Sequence, residues 1–203
     1  MRLRPPDPPL SDGVVTLRPW NDGDIDAVHA ACQDEEIAYW LPMIPDPYTR
    51  SDAREYVRRT RQGWRDGTDA FFAVTNAATG NAIGSIGMRC HGDGRGTVGY
   101  WVAREARGQG VATRALELIS NWALDALGLE RLELMAEPEN AASCKVAKRA
   151  GYRREGLLRS YLQTERRGRR DVVLYSLLPT DVRTTATAAA PGEPRRARGR
   201  RAR

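Results

Sequence analysis

The sequence predicts a single α/β (α+β) domain of mixed strands and helices. Short strand-like runs and longer stretches of helical spacing interleave along the chain, the pattern of a sheet that carries helices. The length of 203 residues is that of one domain, with little left for a second. Hydrophobic residues make up 41% and charged residues 29%, a soluble globular balance. No run approaches the ~20 apolar residues of a membrane span.

Residues 1–12 hold Pro5, Pro6, Pro8 and Pro9 and read as a flexible arm. Residues 14–19 read as the first strand, stopped by its proline. Over 22–32, Ile25, Val28 and His29 lie at helical spacing. Residues 38–48 place Pro42, Pro45 and Pro47 among Tyr39, Trp40 and Met43 and read as an aromatic loop. A helix over 51–64 takes Ser51 as its cap and puts Ala53, Tyr56, Val57 and Trp64 near one face. Strands follow at 71–74, 82–89 and 97–102. The second carries Gly84 and Gly87, and a Gly-rich turn over 92–96 joins it to the third. The clearest helix runs about 110–127, with a stripe from Ala112, Ala115, Leu116 and Ile119 to Trp122, Ala123 and Ala126, and Gly128 ends it. Residues 131–136 alternate as a strand, and a short helix over 141–150 stops at Gly151. Strands at 152–162 and 170–178 close the domain around a turn at Gly168. Residues 180–203 lack periodic apolar positions and read as a disordered Arg-rich tail, which leaves 13–179 as the domain.

Charge is unevenly placed. The formal net charge is +6, and 180–203 hold seven arginines against Asp181 and Glu193, so the body is nearly neutral. Such a tail fits weak contact with RNA, ribosomes or acidic partners. Nothing apolar follows the charged start Met1–Pro6, so no secretory leader is expected. Cys32, Cys90 and Cys144 are odd in number and lack metal-ligand spacing. Reduced thiols in a cytoplasm, and no metal, are expected.

The segment Arg107-Gly108-Gln109-Gly110-Val111-Ala112-Thr113 lies between a strand and the amphipathic helix. A helix start exposes unpaired N–H groups and partial positive charge, and the two glycines let a ligand approach the backbone. With Arg107 adding a fixed charge, the segment suits a pyrophosphate. A tight strand-to-helix turn with no ligand has the same composition. Two other phosphate motifs fail: no Gly-Lys pair exists for a P-loop, and Gly94–Gly99 matches G-x-G-x-x-G but runs into a strand where a helix is required.

Val98-Gly99-Tyr100-Trp101-Val102, followed by Arg107-x-x-Gly110-x-Ala112 and a long helix, resembles the acetyl-CoA motif of the GNAT N-acetyltransferases. Downstream, Asn140-Ala141-Ala142-Ser143 and Arg149-Ala150-Gly151-Tyr152 with Glu155-Gly156 resemble the family's Asn-x-x-Ser and Lys-x-Gly-Phe segments. Residues 171–177 resemble its closing strand and Thr16–Pro19 its first. The set, spanning about 14–178, is most similar to the RimJ/RimL-like branch that acetylates ribosomal-protein N-termini.

The resemblance implies a mixed, splayed sheet with helices on both faces, and acetyl-CoA as cosubstrate in the gap beside Tyr100, Trp101 and Val102. Backbone amides of Gly108, Gln109, Gly110, Val111, Ala112 and Thr113 would hold the pyrophosphate. Asn140 would contact the pantetheine region, Arg149 the nucleotide phosphates, and Ser143 the leaving thiolate. On the residues alone, Asn140 also reads as a helix cap and Ser143 as a first-turn serine. Thr97 and Leu162 stand where relatives carry a carboxylate. Glu137 and Glu133 remain as candidate bases, beside a backbone carbonyl and a water chain.

An α-amine of pKa ~7.8 is roughly 15% neutral at pH 7 and a lysine amine of pKa ~10.4 about 0.04%, a difference of roughly 3.5 kcal/mol. A base-poor site therefore fits a protein N-terminal α-amine better than a lysine. Small-molecule amines (aminoglycosides, polyamines) and a non-catalytic acyl-CoA-binding module stay open, as does a homodimer. The acceptor groove is expected between the first two helices and the last hairpin; Tyr39, Trp40, Met43 and Tyr48 read either as its walls or, slightly better, as core packing, and Asp34, Glu35 and Glu36 either as an attraction for a cationic substrate or as a solvated face. The Arg153–Arg154 and Arg166–Arg170 clusters leave contact with RNA or with an acidic surface open, and with no interleaved aromatic pattern beyond Tyr161 nucleic acid is the minor reading. Cys90 and His91, adjacent in a strand, point to opposite faces and cannot act together.

Overall fold

The computed structural model describes residues 3–182, and 183–203 lie outside them, as does most of the expected tail. The chain runs β1 (Leu10–Ser11), β2 (Val15–Pro19), α1 (Ile25–Ala31), α2 (Glu35–Trp40), α3 (Arg50–Asp66), β3 (Asp69–Asn76), β4 (Ala82–Cys90), β5 (Arg95–Val102), α4 (Val111–Asp125), β6 (Arg131–Ala136), α5 (Ala141–Arg149), β7 (Arg153–Thr164) and β8 (Gly168–Leu177). One eight-stranded sheet has the order β1-β2-β3-β4-β5-β6-β8-β7. Among the described strands only β5 and β6 pair in parallel.

The two-residue period of the strands feeds two cores. Phe72 and Val74 of β3 join Ile86, Met88 and Val98 under α4, whose Ala115, Leu116, Ile119 and Ala123 are buried there. Ala73, on the opposite face, packs with Trp20, Val28, Ala53 and Val57 beneath α1 and α3. The glycines that looked out of place in β4 have a steric cause. Gly87 pairs with Phe71, and a Cβ there would sit 2.1 Å from the Phe71 ring. Gly87→Ala is therefore expected to lower stability by at least the ~1–3 kcal/mol of an overpacked core, read as a fall in the urea midpoint.

Several boundaries differ from the sequence reading. The arm is docked: Leu3 is buried, and Leu10 and Ser11 pair with Leu17 and Thr16. Asp12 accepts from the amides of Val14 and Val15 and pairs with Arg114 at 2.7 Å. Trp40 ends a helix, α2, instead of lying in a loop; Asp34 caps it through the amides of Glu36 and Ile37. Thr49, not Ser51, caps α3, because Thr49 and Asp52 close a reciprocal box. The last turn occupies 165–167, and Gly168 opens β8 with φ 65°. The domain also continues past Pro179: a helical turn spans 179–182, Arg153 pairs with Asp181 at 2.8 Å, and Val182 packs on the core. At the sheet margin, β7 breaks register at 154/156 and again at 158/162, with Ser160 at φ 50°.

Candidate active site

The parallel pair β5–β6 is short. Arg95–Val98 pair with Arg131–Leu134 and then the strands separate. Gly99–Val102 keep only β4, and Met135–Ala136 keep only β8. The sheet is split at this point. The β5 edge facing the split offers backbone donors and acceptors without a strand partner, suited to an extended amide-bearing ligand.

On the α4–α5 side, the Tyr100 hydroxyl meets Ser143 Oγ at 3.0 Å. Burial pushes Tyr100 up to about 12, so its hydroxyl stays protonated at neutral pH. Asn140 Oδ1 accepts from the Ser143 amide at 2.9 Å, which is the cap role. That bond leaves the Asn140 amide nitrogen for a ligand. A single turn at Arg104–Ala106 then leads from β5 to the start of α4. Gly108 and Gly110 have φ 75° and 79°, conformations that favour glycine. A Cβ on Gly108 would meet nothing within 4 Å, and one on Gly110 only Arg114 at 3.9 Å. No side chain caps α4, so the first amides of the helix, those of Val111, Ala112 and Thr113, have no capping side-chain acceptor.

Two predicted residues sit differently. The Arg107 guanidinium turns from the cradle toward α2, pairing with Glu36 at 2.6 Å and Asp34 at 3.3 Å and donating to the Val102 carbonyl at 3.1 Å. Glu36 of α2 and Asp34, its cap, both hold it, so it ties β5 to the start of α2. Glu137 is buried, and Arg167 binds both of its oxygens, at 2.7 and 2.5 Å, while Arg170 adds a bond at 3.0 Å. Burial alone would raise its pKa, and the two guanidiniums more than reverse this. A carboxylate so held is a poor proton acceptor. Arg149 lies exposed in the last turn of α5, with no ion-pair partner among the described residues.

Glu133, the other candidate base, pairs with Arg131 at 2.7 Å. His91 lies past the end of β4, and its Nε2 meets Thr97 Oγ1 at 2.8 Å. Among the described residues no group of side chains could hold a metal ion, and no helix is long and apolar enough to cross a membrane.

On the opposite side of the sheet, Trp101 stacks on Trp20 with centroids 6.1 Å apart. Beside it a cleft of about 450 Å³ lies between the α1–α2 connection, the 41–49 loop and the β7–β8 turn. Tyr39, Tyr48, Glu35 and Arg167 line it; Trp40 packs edge-on against Tyr39, and Met43 points out, 74% exposed. Arg167 stacks 4.1 Å over Tyr39 while holding Glu137 at the end of β6, so the cleft adjoins the split. Sequence reasoning read Arg167 only as part of the Arg166–Arg170 cluster and missed its hold on Glu137, because that partner is distant in the chain.

The family described as acetyltransferase (GNAT) domain matches residues 15–153. The chain belongs to the GNAT acetyltransferases. This acetyltransferase is 29% identical over 167 residues to an uncharacterised N-acetyltransferase of Bacillus licheniformis, covering 81% of this chain and 92% of that one. Among solved structures, Mycobacterium smegmatis RimJ in complex with CoA-disulfide superposes with a TM-score of 0.76 at 28% identity, covering 89% and 93% of the two chains. A GCN5-related N-acetyltransferase from Brucella melitensis gives a TM-score of 0.76 at 26% identity, covering 92% and 86%. The GNAT acetyltransferase is accordingly an N-acetyltransferase with an eight-stranded mixed sheet.

Proposed function

We propose that this acetyltransferase moves the acetyl group of acetyl-CoA directly to a primary amine, and that the amine is a protein N-terminal α-amine of the ribosomal-protein kind. The observation that carries it is the split between Gly99–Val102 and Met135–Ala136, with the Gly108–Thr113 cradle on one side and the cleft on the other. The β5 edge holds the pantetheine amides, and the cradle amides hold the pyrophosphate. Amine and thioester then meet from opposite sides: a C–N bond forms, the C–S bond breaks, and the amine proton passes to water. Backbone donors near Tyr100–Val102 hold the charge on the carbonyl oxygen. The Ser143 hydroxyl, oriented by Tyr100, donates to the departing thiolate.

The α-amine reading rests on what the site withholds. Glu137 and Glu133 are both held by arginines, so a water or backbone carbonyl must take the proton. An acceptor already partly neutral then gains most. The likeness to the mycobacterial RimJ supports the same reading.

A thiol-release assay tests it. Peptides with a free N-terminus should turn over, with kcat/KM rising about tenfold per pH unit up to about 7.8. N-terminally blocked lysine peptides should react at least about a hundredfold more slowly. Turnover of aminoglycosides or polyamines alone would move the enzyme to the small-molecule branch. Acetyl-CoA binding without any turnover would favour a non-catalytic module.

A further inference from the structure

Read along the chain, Arg107 is the fixed charge of the Gly108–Thr113 cradle. In the fold its guanidinium is held by Glu36 and Asp34 instead. A different arginine reaches the cradle. Arg114 closes the first turn of α4, and its amide donates to the Gly110 carbonyl at 3.1 Å. A helical side chain leans toward the N-terminus and covers the turn before its own Cα. Arg114 does so. Its Nε lies 3.9 Å from where a Cβ on Gly110 would stand. Chain neighbours aside, no other atom of the described residues comes within 4 Å of a Cβ placed there or on Gly108.

The guanidinium is only partly committed. Nη1 donates to Asp12 Oδ2 at 2.7 Å. Asp12 is itself fixed, accepting from the amides of Val14 and Val15 at 2.9 Å each, where the docked arm turns into β2. Nε and Nη2 have no acceptor among the described residues. These two N–H groups lie on one side of the guanidinium and donate in parallel, a fork that fits two oxygens of one phosphate. Asp12 therefore holds the end of the side chain and leaves the fork open, with Nε nearest the glycine turn. The side chain is 42% exposed, so a ligand can reach it.

We propose that Arg114 is the phosphate-binding arginine of this site, donating its Nε–Nη2 fork to the pyrophosphate of acetyl-CoA while Asp12 holds Nη1. The inference rests on the acetyl-CoA reading of the cradle. Backbone amides at a helix start offer hydrogen bonds but only partial charge. Arg114 supplies the full charge that Arg107 spends on α2. The N-terminal arm thereby becomes part of the cosubstrate site, because it carries the acid that fixes the arginine.

Calorimetry with the full-length protein tests the assignment. Arg114→Gln should weaken acetyl-CoA binding at least about tenfold, the effect of one lost charge-assisted pair. Acetyl-dephospho-CoA, which keeps the pyrophosphate and lacks the 3′-phosphate, should suffer the same loss. Arg114→Lys restores the charge without the fork and should recover only part of the affinity. Asp12→Asn breaks the same ion pair, keeps an acceptor for the Val14 and Val15 amides and leaves the arginine in place. Its acetyl-CoA affinity should stay within about threefold of wild type, since an exposed ion pair is worth little. The thermal midpoint without ligand reports whether each variant is folded. Unchanged affinity in Arg114→Gln would overturn the proposal. An equal loss in Asp12→Asn would assign the effect to the arm, and a loss confined to ligands with the 3′-phosphate would move Arg114 to that group; either result overturns it. A folded wild type that binds no acetyl-CoA at all would overturn the acetyl-CoA reading as well, an outcome distinct from binding that Arg114→Gln leaves untouched.

Discussion

Glu137→Gln should cost about 2–4 kcal/mol of folding stability, somewhat below the ~3–5 kcal/mol of a fully buried broken pair because Arg170 keeps solvent contact. The substitution keeps the shape and removes the charge, leaving two guanidiniums facing a neutral amide. Three elements meet there: the end of β6, the β7–β8 turn, and α2 through the Arg167–Tyr39 stack. The acceptor KM should therefore rise, while kcat of the folded enzyme stays within about tenfold. A loss of kcat beyond a hundredfold at unchanged stability would instead make Glu137 the base. Acid titration gives a second readout. The folded carboxyl titrates below its ordinary ~4.3, so its stabilisation is complete above that value and disappears as pH falls through the lower, folded value. Wild type should lose more stability between pH 6 and pH 3 than Glu137→Gln does.

Gly110→Val should weaken acetyl-CoA binding by about a hundredfold or more, measured calorimetrically. At φ 79° a β-branched residue costs at least the ~1–2 kcal/mol of an ordinary L-residue in that conformation. The side chain would meet little protein. The backbone therefore either stays strained or rotates, and rotation turns the Val111–Thr113 amides away from the pyrophosphate. A γ-branch that remains would fill the space meant for the ligand. The thermal midpoint without acetyl-CoA should fall only modestly, because the loop supports no core. Affinity retained within threefold would show that the phosphates bind elsewhere.

Much of this could be read from the chain, for reasons that differ by element. The α4 stripe and the alternation in β6 are local periodic signals, and the helix and strand lie where those signals put them. Gly108, Gly110 and Asn140 were legible because turn geometry and capping demand particular residues. The α2 helix was hidden by its six residues, too few for a period, although Asp34 is an ordinary cap. The roles of Arg107, Glu137 and Arg167 were not legible. An arginine's partner is chosen by tertiary distance, and the partners here are 71 and 30 residues away. Leu3 was hidden too, because a lone apolar residue among prolines carries no pattern.

The sheet ends on β7, a twelve-residue strand with one side open. A long straight edge of that kind invites a second chain to zip onto it and to keep growing. This edge is crooked and charged instead. Its two register breaks and the positive φ at Ser160 interrupt the run of donors and acceptors, and Arg153, Arg154 and Arg159 stand along it. With Leu157 and Tyr161 exposed on the same strand, these irregularities are what keeps a sticky margin from seeding fibrils. The bends of β7 belong to colloidal survival in a crowded solution more than to the stability of any single molecule.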